Sequence, residues 1–180
     1  MVELLAGLFS LALFLKFSLS PGYFIYLIFG AALIVVTFID LQHRIIPDVI
    51  TLPGIILGFT ASIFLHEISI FDSIVGIAAG GGALFLVALG YNLLTKNEGM
   101  GGGDIKFLAM IGAFLGWSSV LLTIFISSAL GSLVGLTIMV KEGKDRRYAI
   151  PFGPFLAIGA MISLFWGKGI IDWYLRLNFS

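Results

Sequence analysis

The sequence predicts an all-α fold, a polytopic membrane helix bundle of about seven helices. Hydrophobic residues make up 59% of the 180 positions and charged residues only 11%, and the mean hydropathy is +1.12. Soluble domains carry about 25% charged residues, so an ordinary soluble composition is excluded. The apolar residues also form successive runs bounded by charged residues, Pro or Gly, which is the pattern expected of membrane helices.

Seven apolar runs define the predicted helices. They cover roughly residues 2–17, 22–40, 49–65, 70–95, 104–116, 117–140 and 149–167. The first lacks the basic start and cleavage site of a signal peptide, so it is interpreted as a retained helix. The second and third are separated by a polar turn with Pro47, which interrupts a helix. The glycines of the fourth favour close helix packing.

The fifth run is shorter than the about 17 to 25 apolar residues that a full span needs, so it is predicted as a short, partial or re-entrant helix. The sixth and seventh are long enough to cross. Beyond the seventh, Trp173, Tyr174 and Arg176 are residue types that anchor a chain at the membrane interface. No internal repeat or separate soluble segment is evident, so residues 1–180 are predicted to form a single domain.

The distribution of basic residues predicts a cytoplasmic N-terminus. If all seven runs cross, seven Lys and Arg residues lie inside and three outside, as the positive-inside tendency requires. The inside set is Arg44, Lys96, Lys106, Lys141, Lys144, Arg146 and Arg147, and the outside set is Lys16, Lys168 and Arg176. The same topology places Asp40 and Asp104 together on the cytoplasmic face.

Composition also excludes several classes of function. Ten basic and ten acidic residues cancel, and no basic face suits nucleic acid, so no nucleic-acid partner is expected. The chain has no cysteine, and its two histidines lie apart in the sequence. A thiolate zinc site, a cysteine nucleophile and a histidine-based metal site are therefore disfavoured, and no metal is predicted.

Two aspartates at the predicted membrane boundary are the candidate catalytic residues. Asp40 closes the second apolar run, and Asp104 opens the fifth. An ionisable side chain in such a position indicates a functional site, and paired carboxylates suit acid–base hydrolysis by an activated water. Because Asp104 begins a helix, the helix dipole is expected to lower its pKa, which favours Asp104 as base and Asp40 as acid. The structural alternatives are an N-cap at Asp104 and a helix end at Asp40.

Four neighbouring residues are candidates for substrate-binding or supporting roles. Gly101 and Gly103 precede Asp104 in a glycine-rich stretch that would let another chain approach closely. Lys106 could hold a carboxylate or a substrate carbonyl, although a lysine extending to the interface fits the pattern better. Asp48 could join the site, but Pro-Asp before an apolar run is typical of a turn and helix start.

Three ordered blocks make the sequence resemble the type IV prepilin peptidases, which are aspartic proteases of the bacterial inner membrane. The blocks are FIDLQHRIIPDVITLPG, EGMGGGDIKFLAMIGAFLGW and IPFGPFLAIGA, and the aspartates of the first two are 64 residues apart. The resemblance covers nearly the whole chain. It implies that Asp40 and Asp104 are the catalytic pair, and that Gly101 and Gly103 supply the glycines of a Gly-x-Gly-Asp motif.

The resemblance also implies the reaction and the partners. Such enzymes cut the basic leader from type IV prepilins and type II secretion pseudopilins at the cytoplasmic boundary of the membrane, so a prepilin or pseudopilin and the lipid bilayer are the expected partners. No oligomeric state is predicted. Full-length bacterial members carry a preceding cytoplasmic domain with two Cys-x-x-Cys pairs, which binds zinc and accompanies methylation by S-adenosylmethionine. That domain is predicted to be absent from residues 1–180, so zinc and S-adenosylmethionine are expected only with it, and the peptidase reaction is expected to need no cofactor.

Three alternatives remain open at this point. A presenilin-like protease would cut within a transmembrane helix and would need its aspartates deep in facing helices. A proton-coupled transporter would also use intramembrane acids, but no inverted repeat is evident. A noncatalytic assembly partner of a secretion apparatus would tolerate loss of both carboxylates.

Overall fold

The computed structural model describes residues 2–64, 68–96, 101–142 and 151–179. These residues form seven α-helices, which confirms the all-α prediction. In chain order they are α1 (Val2–Phe17), α2 (Pro21–His43), α3 (Asp48–Phe64), α4 (Ile70–Thr95), α5 (Gly102–Leu115), α6 (Trp117–Glu142) and α7 (Gly153–Phe179). Four of the described helices, α2, α4, α6 and α7, are long and apolar enough to cross a membrane.

Two helices continue at least three residues past the predicted ends of their runs. The second apolar run was expected to end at Asp40, but α2 continues through His43. It ends at Arg44, which takes the left-handed conformation (φ 56°) and donates its backbone N–H to the Asp40 carbonyl at 2.8 Å. At the other end of the chain, α7 continues to Phe179, so the segment expected to be an interfacial tail is the last part of a helix.

The short fifth helix lies at the centre of the bundle. Every residue from Phe107 to Leu115 is buried, and α5 packs most extensively against α4 and α3. A helix covered by other helices does not have to match the thickness of the lipid, because its neighbours rather than lipid surround it. The predicted shortness of this helix is therefore confirmed. It ends at Gly116, whose φ of 79° is readily adopted only by glycine.

Glycines allow α4 to approach α5 at backbone distance. A side chain at Gly76 would collide with the carbonyl of Gly112, and one at Gly80 would collide with the carbonyl of Leu108. The glycine-rich fourth run was predicted to serve helix packing, and this prediction is confirmed at these two positions. The close contact holds the position of α5 against α4.

Candidate active site

The ends of four helices meet around the two candidate aspartates. Asp40 lies in the last turn of α2 and Asp104 in the first turn of α5. The N-terminal end of α7 contacts Asp40 through Gly153, and Asp48 at the start of α3 contacts the first turn of α5 through Lys106. The described fold therefore gathers at one end residues that are far apart along the chain.

An aromatic contact explains why Asp40 and Asp104 lie at the same level of the bundle. The rings of Phe29 in α2 and Phe114 in α5 stack with centroids 4.6 Å apart. Asp40 comes 11 residues after Phe29, and Asp104 comes 10 residues before Phe114. At about 1.5 Å of rise per residue, the two aspartates lie about 15 to 17 Å along their helices from the stacked rings. Since α2 runs toward the site and α5 runs away from it, these similar lengths bring the two aspartates to the same level of the bundle, and the charge of Asp40 acts on Asp104.

The Asp40 side chain is buried and hydrogen-bonded to the backbone of α7. The residue is only 4% exposed, and its Oδ2 accepts the backbone N–H of Gly153 at 2.9 Å. Gly153 is the first residue of α7, so the carboxylate faces the positive end of that helix. A Cβ atom at position 153 would lie 2.7 Å from the same oxygen. A side chain at this position would therefore displace the Asp40 carboxylate.

Sequence reasoning assigned no role to Gly153. The block IPFGPFLAIGA contributed to the family resemblance, but none of its residues was predicted to reach Asp40. The available signal was a glycine between Pro151 and Pro154 at the start of an apolar run, since proline favours the first positions of a helix. That signal predicts a helix start but not the residue that the start faces.

Asp104 has an unusually high pKa. It is half-buried, and its pKa is raised from 3.8 to about 7, mainly by burial and then by the negative charge of Asp40, while a backbone hydrogen bond from Gly101 partly offsets both. The expectation that the helix dipole would lower this pKa is wrong, because desolvation and the like charge outweigh the dipole. Because the charge of Asp40 acts on Asp104, the two carboxylates belong to one site.

The glycines before Asp104 have different surroundings. Gly101 is exposed, and a Cβ built on it would make an ordinary contact of 3.6 Å with Oδ2 of Asp104. The space at Gly103 is taken by Ile46, whose Cβ would lie 2.8 Å from a Cβ at that position. Ile46 also reaches Gly153, with its Cδ1 3.2 Å from a Cβ built there. The missing side chain of Gly103 therefore leaves room for Ile46, which belongs to the turn between α2 and α3. Substrate contact at Gly101 and Gly103 stays a prediction.

The remaining two candidates pair with each other. Lys106 Nζ donates to Asp48 Oδ2 at 2.6 Å, with the side chains 41% and 52% exposed. This ion pair joins the first turn of α5 to the start of α3. Asp48 begins α3, as the interpretation of a turn and helix start predicted.

Further sequence-based expectations concern metal sites and orientation. Within residues 2–64, 68–96, 101–142 and 151–179, no three His, Cys, Asp or Glu side chains are grouped as metal ligands would be. Lys144, Arg146 and Arg147, on which the orientation depends in part, lie outside the described residues. The absence of a metal requirement and the cytoplasmic N-terminus both stay predictions.

A cavity of about 460 Å³, lined by both polar and apolar residues, lies at the opposite end of the bundle. Lys16, Asp72, Ser119 and Lys168 are among its lining residues, and neither Asp40 nor Asp104 contributes to it. The cavity is therefore separate from the paired carboxylates.

Comparison with known proteins gives a consistent result over nearly the whole chain. A family model described as the Type IV leader peptidase family matches residues 27–136, a range that contains both aspartates. The chain is 37% identical over 175 residues to the prepilin leader peptidase/N-methyltransferase of Aeromonas hydrophila, covering 97% of this chain and 60% of that protein.

Two further relatives have the same name. The identity is 36% over 176 residues to the protein of Xanthomonas campestris pv. campestris and 38% over 178 residues to that of Pseudomonas aeruginosa. Both alignments cover 98% of this chain and 61% of the relative. The chain thus spans about 60% of the length of these relatives. No solved structure matches the chain.

Proposed function

Because this chain belongs to the type IV leader peptidase family, we propose that it is a membrane aspartic endopeptidase that removes the basic leader from type IV prepilins and type II secretion pseudopilins. The observation that carries the proposal is the pairing of Asp40 and Asp104. They are 64 residues apart in the sequence, yet the charge of Asp40 helps to raise the pKa of Asp104 to about 7.

The surroundings of the two carboxylates suggest which one acts as the general acid and which as the general base. We assign the proton to Asp104, whose pKa is raised by burial and by the charge of Asp40. Asp40 is then the ionised partner, because its Oδ2 accepts the N–H of Gly153 at the positive end of α7. Asp40 then takes a proton from a water molecule, the water oxygen attacks the scissile carbonyl carbon, and Asp104 gives its proton to the carbonyl oxygen. Collapse of the tetrahedral intermediate breaks the C–N bond, the proton taken up by Asp40 goes to the leaving amine, and one hydroxyl proton of the intermediate returns to Asp104. This assignment reverses the one that the helix dipole alone favoured.

The position of the pair favours a cut at the membrane boundary. Asp40 lies in the last turn of a helix long enough to cross the membrane, and Asp104 lies at the half-exposed start of α5. A substrate with a basic leader before an apolar helix can keep its charges among the headgroups while its helix lies against the bundle. We place the site at the cytoplasmic face of the bacterial inner membrane, where the leader of a prepilin would lie. An enzyme cutting in mid-bilayer would need its acids deeper.

The proposed reaction requires no cofactor. Two carboxylates and water account for every proton transferred, so cleavage should persist in the presence of EDTA and without S-adenosylmethionine. The relatives are also named as N-methyltransferases. Zinc and S-adenosylmethionine are expected only with the additional domain of longer family members.

Cleavage of a purified prepilin in detergent or lipid vesicles tests the proposal. Asp40→Asn and Asp104→Asn should each lower the rate by about 10²-fold or more, since acid–base catalysis contributes about 10² to 10⁴. Asp172→Asn is the matched control, because Asp172 is an exposed carboxylate in α7, about 28 Å along the helix from its start. Mass spectrometry of the product should place the cut between the leader and the apolar helix. Unchanged cleavage by the variant with both Asp40 and Asp104 replaced would contradict the proposal.

A further inference from the structure

The contact between α7 and Asp40 is more specific than helix packing requires. The backbone N–H groups in the first turn of a helix have no partner within that helix. The N–H of Gly153 is one of them, and it donates to Oδ2 of Asp40 across a separation of 113 residues. Among the residues that the structure describes, it is the hydrogen-bond donor to this buried carboxylate. The N–H needs a lone pair on the oxygen that accepts it, so this bond occupies a lone pair of Oδ2 rather than of Oδ1.

A side chain at position 153 would collide with the Asp40 carboxylate. A Cβ atom there would lie 2.7 Å from Oδ2 of Asp40, 3.2 Å from its Cγ and 3.2 Å from Cδ1 of Ile46. Ordinary contacts begin near 3.4 Å, so alanine would move the carboxylate by at least about 0.7 Å. Both the position and the hydrogen bond of the carboxylate would change, because the oxygen that collides is the oxygen that accepts.

We propose that Gly153 is a positioning residue for Asp40: its N–H holds Oδ2 in place, and its missing side chain leaves the room that this carboxylate occupies. In the proposed reaction, Oδ1 is then the oxygen that takes the proton from the attacking water. The catalytic consequence rests on the proposed function, whereas the contact itself does not. Buried catalytic groups depend on such supporting hydrogen bonds, because a small displacement removes the productive geometry.

A stability cycle tests the contact without catalysis. Gly153→Ala, Asp40→Ala and the double variant are compared by thermal unfolding of the full chain in detergent. Gly153→Ala should lower Tm clearly in the wild-type background and much less in the Asp40→Ala background, where the colliding carboxylate is gone. Gly169→Ala is the matched control in the same helix, because a Cβ there meets nothing within 4 Å. An equal loss of Tm or of folded yield in both backgrounds would overturn the inference.

Kinetics test the positioning role. In prepilin cleavage, Gly153→Ala should lower kcat by about tenfold or more, because a misplacement of about 1 Å can cost about 10²-fold. KM should stay within about twofold, since the change affects the reacting group rather than substrate binding. Gly169→Ala should resemble the wild type in both constants. A Gly153→Ala variant with the kcat of Gly169→Ala would overturn the positioning role. Absence of cleavage by the wild type would instead reject the proposed function, and the stability cycle would still decide the contact.

Discussion

Replacing Gly103 by alanine should impair both folding and cleavage, whereas the same change at the adjacent Gly102 should not. A Cβ at position 103 would lie 2.8 Å from Cβ of Ile46 and 3.2 Å from its carbonyl oxygen. Carbon atoms pack best at about 3.5 to 4.0 Å, so Ile46 must retreat by about 1 Å. A Cβ at Gly102 meets nothing within 4 Å, which makes Gly102→Ala a control only one position away.

The displacement of Ile46 by Gly103→Ala predicts both a loss of unfolding free energy and a loss of cleavage rate. Overpacking of this kind costs about 1 to 3 kcal/mol of unfolding free energy. Ile46 belongs to the turn that follows Asp40 and also approaches Gly153, so its movement should disturb the carboxylate. A misplacement of about 1 Å can cost about 10²-fold in rate, and we expect Gly103→Ala to lose about tenfold or more.

Initial rates of prepilin cleavage and thermal unfolding in detergent would measure both effects for the two variants. Gly102→Ala should match the wild type in rate and Tm. If Gly103→Ala behaves like Gly102→Ala in both assays, the turn that carries Ile46 has freedom that the packing argument denies.

Further predictions follow from the charges and from helix packing. The pKa of Asp104 is raised from 3.8 to about 7, so the folded protein binds this proton more tightly than the unfolded chain does. The resulting contribution to the unfolding free energy is fully present below about pH 4 and is lost as the pH rises through about 7. Tm should therefore fall more for the wild type than for Asp104→Asn between about pH 5 and pH 8, and the cleavage rate should decline over the same rise; a flat rate profile would contradict the assigned acid. A double-mutant cycle of Lys106→Gln and Asp48→Asn should give a coupling of about 0 to 1 kcal/mol, as for other exposed ion pairs, and a much larger coupling would indicate a buried role. Gly80→Ala should lower Tm because its side chain would meet the backbone of α5, whereas Gly82→Ala has open space; equal Tm values would refute the close packing.

Several features could be predicted because they depend on local composition. The apolar runs predicted the number and approximate bounds of the helices, since every backbone group in a membrane must be hydrogen-bonded within a helix or barrel. The shortness of α5 was visible from the distance between Asp104 and Gly116. Asp40 and Asp104 were identified as candidates because ionisable residues at such boundaries are rare, and the family resemblance indicated the same pair.

The interactions around these aspartates could not be predicted in the same way. Three contacts join parts of the fold that are distant in the sequence. They are the hydrogen bond from Gly153 to Asp40, the packing of Ile46 against Gly103 and the ion pair between Lys106 and Asp48. Periodicity and composition describe one helix at a time, so they contain no information on which helix ends will meet.

The sequence alone determined an all-helical membrane protein, the family to which it is similar and the identity of its candidate acids. Only the tertiary structure decided how those acids behave. The pKa of Asp104 depends on burial and on the charge of Asp40, and both are properties of the assembled bundle. Local reasoning could include the helix dipole, because it belongs to α5 itself. It could not include the larger opposing effects, because those come from the packing of other helices.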